Sequence, residues 1–290
     1  MTLANLKEGD TFTGFFLVRE KEIKSAVNGS EYGHFLLERH LEKIAAKMWD
    51  IGEELKSSVQ KKSIVKVEGV IKSYRNRKEL SIQRMRLIHD EDQVNVTELL
   101  TKEGLSREGL WQELRMYMDE VESGPLRSIL VQLYSQKEFR EKITTYPASQ
   151  YGHHAYYAGM LEHLVELCHT AAQLFPLYND LNRNVVLASC LLHNIGLTKM
   201  FNDAIAPSLT EEGEKIGLVS LSYEIILDAV KDAGISSTDH EIIALKHCII
   251  SQYGPVENGW GSSISPKSAE ALFFHHIKEL SSKMSMKNDI

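Results

Sequence analysis

Apolar and polar residues alternate along the first third of the chain and recur at helical spacing through the rest. Residues 11–18, 32–37, 44–49, 64–71 and 80–83 are short runs rich in β-branched and aromatic side chains. The run from Ile64 to Ile71 alternates residue by residue, as a half-buried strand does. Asn28-Gly29 is a hairpin signal after the first run, and residues 6–10 and 74–78 read as turns. Five short strands with turns between them predict a small OB-type β-barrel over residues 1–92.

Beyond residue 92 the period changes. Trp111, Leu114, Met118 and Val121 fall on one helical face, and Gly104, Gly109 and Gly124-Pro125 divide the region into pieces. Pro125 suits the first turn of a helix over 125–134. A helix over about 155–175 carries a wide stripe from Tyr157 to Phe175, so most of it is expected to be buried. His163 borders that stripe, and His153 and His154 stand at its start. A second apolar helix, 185–192, runs into His193-Asn194. Gly196 is expected to stop it in the left-handed conformation. A histidine and an amide at the end of a core helix are costly unless they bind something. The chain is therefore read as α+β in two domains, the barrel (1–92) and an all-α helical domain (93–290).

Composition changes this picture in three ways. No apolar run approaches the ~20 residues of a membrane span, and residues 1–10 lack an apolar signal region, so a cytoplasmic protein with no membrane partner is expected. Cys168, Cys190 and Cys248 sit in apolar helical patterns and read as reduced core thiols. Net charge is −7, yet residues 61–86 hold nine basic side chains against two acidic ones. A basic strand-turn-strand beside aromatic residues suits single-stranded nucleic acid, with phosphates meeting Lys and Arg and bases stacking on rings. The residues expected to do this are Tyr32, Phe35, Lys47, Trp49, Lys72, Tyr74, Arg75, Arg77, Lys78 and Arg84. The competing reading is that the rings fill the barrel and the charges solvate an edge.

Several motifs occur together: Tyr146-Pro147-Ala148, His153-His154-Ala155-Tyr156, Ala158-Gly159-Met160-Leu161-Glu162-His163, Leu191-Leu192-His193-Asn194-Ile195-Gly196 and Ser265-Pro266-Lys267-Ser268-Ala269-Glu270-Ala271. In this combination the chain resembles the HD-domain 3′-5′ exoribonucleases of the YhaM type over nearly its whole length. The resemblance implies an N-terminal OB domain followed by an HD-type helical domain, and metal-assisted phosphodiester cleavage in which His and Asp ligands hold divalent ions.

By that resemblance His163 and His193 match ligand positions. Other positions depart from the pattern. The Asp after the second His is Asn194, and the Lys of the same motif is Leu197. A later His falls on Leu218, the paired His of a Ser-His-His-Gly segment fall on Gln252 and Tyr253, and the last ligand Asp falls on Lys278. A lysine ammonium ~4 Å from a divalent ion, at an effective dielectric of about 20, costs on the order of 8 kcal/mol. The metal motif is thus expected to be degraded and no cofactor is expected. A rebuilt site would draw on His153, His154, His247 or His275 as substitute ligands, three convergent imidazoles being enough for one zinc.

Three functions follow as expectations. The first is a catalytically inactive relative that binds single-stranded RNA or DNA, with Lys278 serving as a phosphate contact. The second is an active metal-dependent exonuclease or phosphohydrolase using Mn²⁺, Mg²⁺ or Zn²⁺ on a reduced His-based site. The third is an assembly component with a protein partner or a second copy of itself. Trp260 is expected to anchor the Gly-flanked loop 253–266, and residues 284–290 to fray.

Overall fold

The computed structural model describes residues 3–26, 29–74, 77–102, 104–259 and 261–285. The expectations for Asn28, Arg75, Trp260 and residues 286–290, and for the Tyr74 side chain, fall outside what is described. The chain forms two compact units, one ending at Leu105 and one beginning at Ser106.

The first unit is a closed five-stranded barrel of OB type. Strands β1 (Thr11–Ser25), β2 (Glu31–Arg39), β3 (Glu42–Trp49), β4 (Ile64–Tyr74) and β5 (Arg77–Leu87) close in the order β1-β2-β3-β5-β4. Every pairing is antiparallel except β3 with β5. Strand β1 runs seven residues past the predicted run. Its first half pairs with β4 and its second half with β2, and an irregularity between Val18 and Glu20 turns it from one neighbour to the other. That second half has little apolar content, so pairing rather than periodicity makes it a strand.

Phe12, Phe16, Val18, Phe35, Leu37, Val65, Val67 and Leu80 fill the interior. Helix α1 (Glu53–Ser58) follows β3, and α2 (Val96–Leu100) follows β5. Helix α2 packs on β1 and β2. Its Leu99 and Leu100 are buried, and the Leu99 carbonyl accepts the His40 N–H at 2.7 Å. The first unit therefore continues past position 92, because two leucines that read as the start of the helical region are covered by the barrel.

The second unit is helical: α3 (Arg107–Glu120), α4 (Gly124–Ser135), α5 (Lys137–Thr145), α6 (Gly159–Leu174), α7 (Arg183–Leu192), α8 (Leu197–Met200), α9 (Glu211–Lys215), α10 (Leu218–Asp232), α11 (His240–Ile250) and α12 (Ala269–Ser285). Helix α7 is buried without interruption from Val185 to Leu192, as its apolar sequence requires. Side chains of Ser106, Ser123, Asn182, Thr210 and Asp239 accept the free N–H groups at the starts of their helices. Cys168, Cys190 and Cys248 are free and buried. No described helix is long and apolar enough to cross a membrane.

Two local expectations are corrected. Helix α6 begins at Gly159, and residues 151–158 form turns in which His154 and Ala158 take positive φ. Gly196 is not left-handed: its φ is −58° and it caps α8. Its glycine is required by close approach instead. A Cβ there would lie 2.6 Å from the Leu218 carbonyl oxygen and 2.7 Å from the Ser222 nitrogen. The Ser222 hydroxyl donates to the His193 carbonyl and accepts the Gly196 N–H, both at 2.9 Å. The start of α10 is thereby pinned against the turn that carries His193.

Candidate functional site

Chemistry-bearing residues gather in two places, one on the barrel and one inside the helical unit. On the barrel, Tyr32 of β2 pairs with Trp49 of β3, their rings 4.8 Å apart. Both point outward, and Trp49 is 49% exposed. Lys47, two residues back on the same face, pairs with Glu79 at 2.8 Å. Lys72 and Arg77 are exposed and have no partner among the described residues. Lys78 donates to the Ala4 carbonyl at 2.5 Å, and Arg84 lies a loose 3.8 Å from Glu68.

Phe35 does not belong to this surface. It is completely buried in the barrel, its ring lying over Gly33, where a Cβ would come within 2.5 Å of it. Residues 33, 35 and 37 face inward while 32, 34 and 36 face outward, so a strand that presents Tyr32 to solvent must withdraw Phe35. Of the three rings named on these strands, two are available and the third is core.

In the helical unit, α6 supplies His163 and the end of α7 supplies His193. Helix α12 supplies His275, Lys278 and Ser281, spaced by three residues and all buried. His163 and His193 face each other, Nε2 to Nε2, at 3.3 Å. His193 Nδ1 lies 3.0 Å from the Cys190 carbonyl, and His163 Nδ1 lies 3.1 Å from the Ser281 hydroxyl. Burial drives both histidines well below the usual imidazole value; the facing ring adds to this for His163, and the Lys278 charge for His193.

Neutral rings in this arrangement have one consistent set of proton positions. A carbonyl only accepts, so His193 carries its proton on Nδ1 and offers the Nε2 lone pair. His163 then donates from Nε2 and accepts from Ser281 at Nδ1. The chain of donors runs Ser281, His163, His193, Cys190 carbonyl.

The other predicted residues sit around this pair. The His153 ring lies 4.9 Å from that of His163, and burial takes it down to about 4. His154 directs Nε2 at Glu166, 3.1 Å away. Asn194 is buried beside His193 and its side chain makes no hydrogen bond among the described residues. Gln252 is 1% exposed, and neither its side-chain nitrogen nor its oxygen has a partner among the described residues.

Lys278 is buried, and its ammonium lies 3.7 Å from the centre of the Tyr253 ring. Burial alone pushes it down from 10.5 to about 7. Its orientation is inward, into the cluster, and its charge acts on His153, His163 and His193 alike.

Two of the substitute ligands are committed elsewhere. His247 Nε2 accepts the Lys267 N–H at 2.8 Å and pins the loop before α12. His275 Nδ1 lies 3.2 Å from the Gln252 carbonyl. The sequence reading missed Ser281, Ser222 and Glu166; Ser281 was the most findable, since it follows Lys278 by three residues on the same helix.

These residues do not fit a resident divalent ion. The His163–His193 separation is near the ~3.4 Å of two nitrogens sharing a tetrahedral zinc. Among the described residues, however, no third His, Cys, Asp or Glu donor converges on that pair. The convergent triple found among the described residues, His275, His276 and Glu279 on α12, does not include that pair. His153 and His154 thus pack against His163, but among the described residues they form no three-ligand set with the pair.

No family model matches the chain. It is 30% identical over 284 residues to the 3′-5′ exoribonuclease YhaM of Geobacillus sp. (strain WCH70), covering 98% of this chain and 86% of that one. It is likewise 30% identical over 278 residues to the 3′-5′ exoribonuclease YhaM of Oceanobacillus iheyensis, covering 96% of this chain and 86% of that one. Among solved structures, the second OB-fold domain of replication protein A from Methanococcus maripaludis aligns with 31% of this chain and 94% of its own. The identity there is 20% and the TM-score 0.26.

Proposed function

The chain belongs to the YhaM family of 3′-5′ exoribonucleases, and from that premise we propose that it binds single-stranded RNA or DNA without cleaving it. The observation that carries this reading is the buried Lys278 ammonium. It touches an aromatic ring and has no acidic partner among the described residues, and by the resemblance it falls on the position of a ligand Asp. Together with Asn194 and Gln252, it leaves the cluster with neutral and cationic groups where a metal-dependent nuclease needs anionic ones. Substrate binding then rests on the barrel. Trp49 and Tyr32 offer stacking faces on strands 2 and 3, the face that OB barrels use for oligonucleotides. Lys72, Arg77 and Arg84 supply charge for the phosphates. The helical unit, from Ser106 on, keeps the HD-type scaffold with a degraded metal motif.

The test is direct. Labelled single-stranded oligonucleotides are titrated into the full chain at several salt concentrations, and the same strands are incubated with Mn²⁺, Mg²⁺ and Zn²⁺. Binding that weakens steeply with salt, intact strands and no stoichiometric metal are the expected results. Salt-insensitive or absent binding removes the reading.

The His163–His193 spacing supports a second reading, a nuclease on a reduced site holding Mn²⁺, Mg²⁺ or Zn²⁺. Strand shortening that disappears in both His163→Ala and His193→Ala would establish it and overturn the first.

A further inference from the structure

We infer that the histidine cluster is a metal-free oxyanion site, in which Lys278 and the Gln252 side chain hold a phosphate-sized dianion. Inorganic phosphate and the terminal phosphomonoester of a nucleotide share this chemistry. The inference rests on the reading above that the cluster holds no metal.

The argument starts from what is left unsatisfied. A buried ammonium loses its hydration, and a ring face returns only part of it. Lys278 is 6% exposed, lies against the Tyr253 ring, and has no ion pair or hydrogen bond among the described residues. Among the described residues, Gln252, the neighbour of that ring in sequence, has both side-chain polar atoms buried and unpaired, as are His153 Nε2 and His154 Nδ1. Buried polar atoms in native proteins almost always have partners, so these four atoms, with the Lys278 charge acting on His153, mark a missing one.

The charge inventory says what the partner is. The unsatisfied groups bring one ammonium, one amide and neutral imidazoles. Glu166 is engaged at 3.1 Å with His154 Nε2 on the other side of that ring, and Glu279 lies 3.9 Å from His275 Nε2. A cation is therefore repelled and a neutral guest leaves the ammonium uncompensated. A tetrahedral oxyanion offers acceptors in several directions at once. That matches donors arriving from α12, from the turn at 251–254 and from the turn at 151–158. The Ser281–His163–His193 chain supports this role, because it fixes the rings without using an ion.

The full chain, freed of metal with a chelator and dialysed into phosphate-free buffer, is titrated with inorganic phosphate by calorimetry. Parallel titrations use adenosine 5′-monophosphate and an oligonucleotide ending in a 3′-phosphate. Expected is one phosphate per chain without added metal, with affinity at least tenfold weaker in Lys278→Met and in Gln252→Leu. Circular dichroism establishes that both variants are folded. Equal affinity for phosphate and the nucleotides supports a free-anion site; tighter binding of one nucleotide supports the site with that terminus as its source. No phosphate binding with or without metal overturns the inference and leaves the non-catalytic reading standing. Binding that appears only when Mn²⁺ or Zn²⁺ is added overturns the inference together with that reading. Binding unchanged in both variants overturns the inference as well.

Discussion

Each unit buries a charged side chain, and the two solve the problem in opposite ways. In the barrel, Glu38 is 2% exposed, and Arg19 meets it with two parallel hydrogen bonds at 2.7 and 2.8 Å. In the helical unit, Lys278 is buried against a ring with no carboxylate. The first is a closed structural pair of the planar, bidentate kind that Arg and carboxylate favour. The second is open. An open buried charge costs stability and survives only where it does something, so the contrast separates a residue that holds the fold from one kept at the fold's expense.

Removing the two charges should therefore have opposite signs. Lys278 is held near 7 in the folded state against 10.5 when free. At roughly 1.4 kcal/mol per tenfold change in proton affinity, the ammonium costs the fold about 5 kcal/mol below pH 7. Above pH 7 the folded chain sheds this proton while the unfolded chain keeps it. Stability should therefore rise with pH and level off near pH 10.5. Lys278→Met should raise unfolding stability at neutral pH by up to about 5 kcal/mol and flatten that pH dependence. Urea unfolding between pH 6 and 10 in phosphate-free buffer checks it, and a destabilised variant would erase the comparison.

Arg19→Met should do the reverse, costing roughly 3 kcal/mol by leaving the Glu38 carboxylate to the exposed Lys43 ammonium 3.9 Å away. The same unfolding measurement reads it, and a near-neutral result would mean the barrel pair is as dispensable as the lysine.

Gly196→Ala probes the scaffold that holds the cluster. Its methyl would press on the Leu218 carbonyl and Ser222, so a loss of about 1–3 kcal/mol is expected. The loss should come with displaced His193 ring signals in NMR spectra, and unmoved signals would detach that glycine from the site.

Trp49→Ala acts on the barrel surface alone. It should weaken single-strand binding by about 1–3 kcal/mol, the worth of one stacked base, and leave global stability nearly unchanged. Smallest is Lys72→Ala, which should lower the salt dependence of single-strand binding by close to one phosphate's share, about 0.7 in the log–log slope. Fluorescence anisotropy reads both, and equal losses at all salt concentrations would place Lys72 off the strand's path.

Much of this architecture could be read from the chain before any coordinates. Strand alternation gave the barrel, and the apolar run 185–192 gave the buried helix. Adjacent polar residues at its end marked the cluster, because a histidine and an amide have no reason to stand beside an all-apolar segment unless they are used. Phe35 was misread because a ring in a strand is equally at home on either face until its neighbours fix the parity. Gly196 was misread because a glycine after a helix most often supplies a left-handed turn, and nothing local signals that a second helix start will press against it. The second half of β1 was missed because its partner, β2, makes it a strand.

What the sequence by itself determined is the order of the two units, the apolar faces that build them, and the polar and cationic identities of His193, Asn194, Gln252 and Lys278. These follow from local periodicity and from residue identity, which are written along one dimension. Only the tertiary structure decided that Lys278 points inward, that His163 and His193 hold each other rather than stand apart, and that Gln252 is left without a partner. Those outcomes depend on which side chains from α6, α7, α12 and the intervening turns arrive at the same few ångströms. Burial turns an ordinary lysine into an unpaired charge only when every neighbour that packs on it is known.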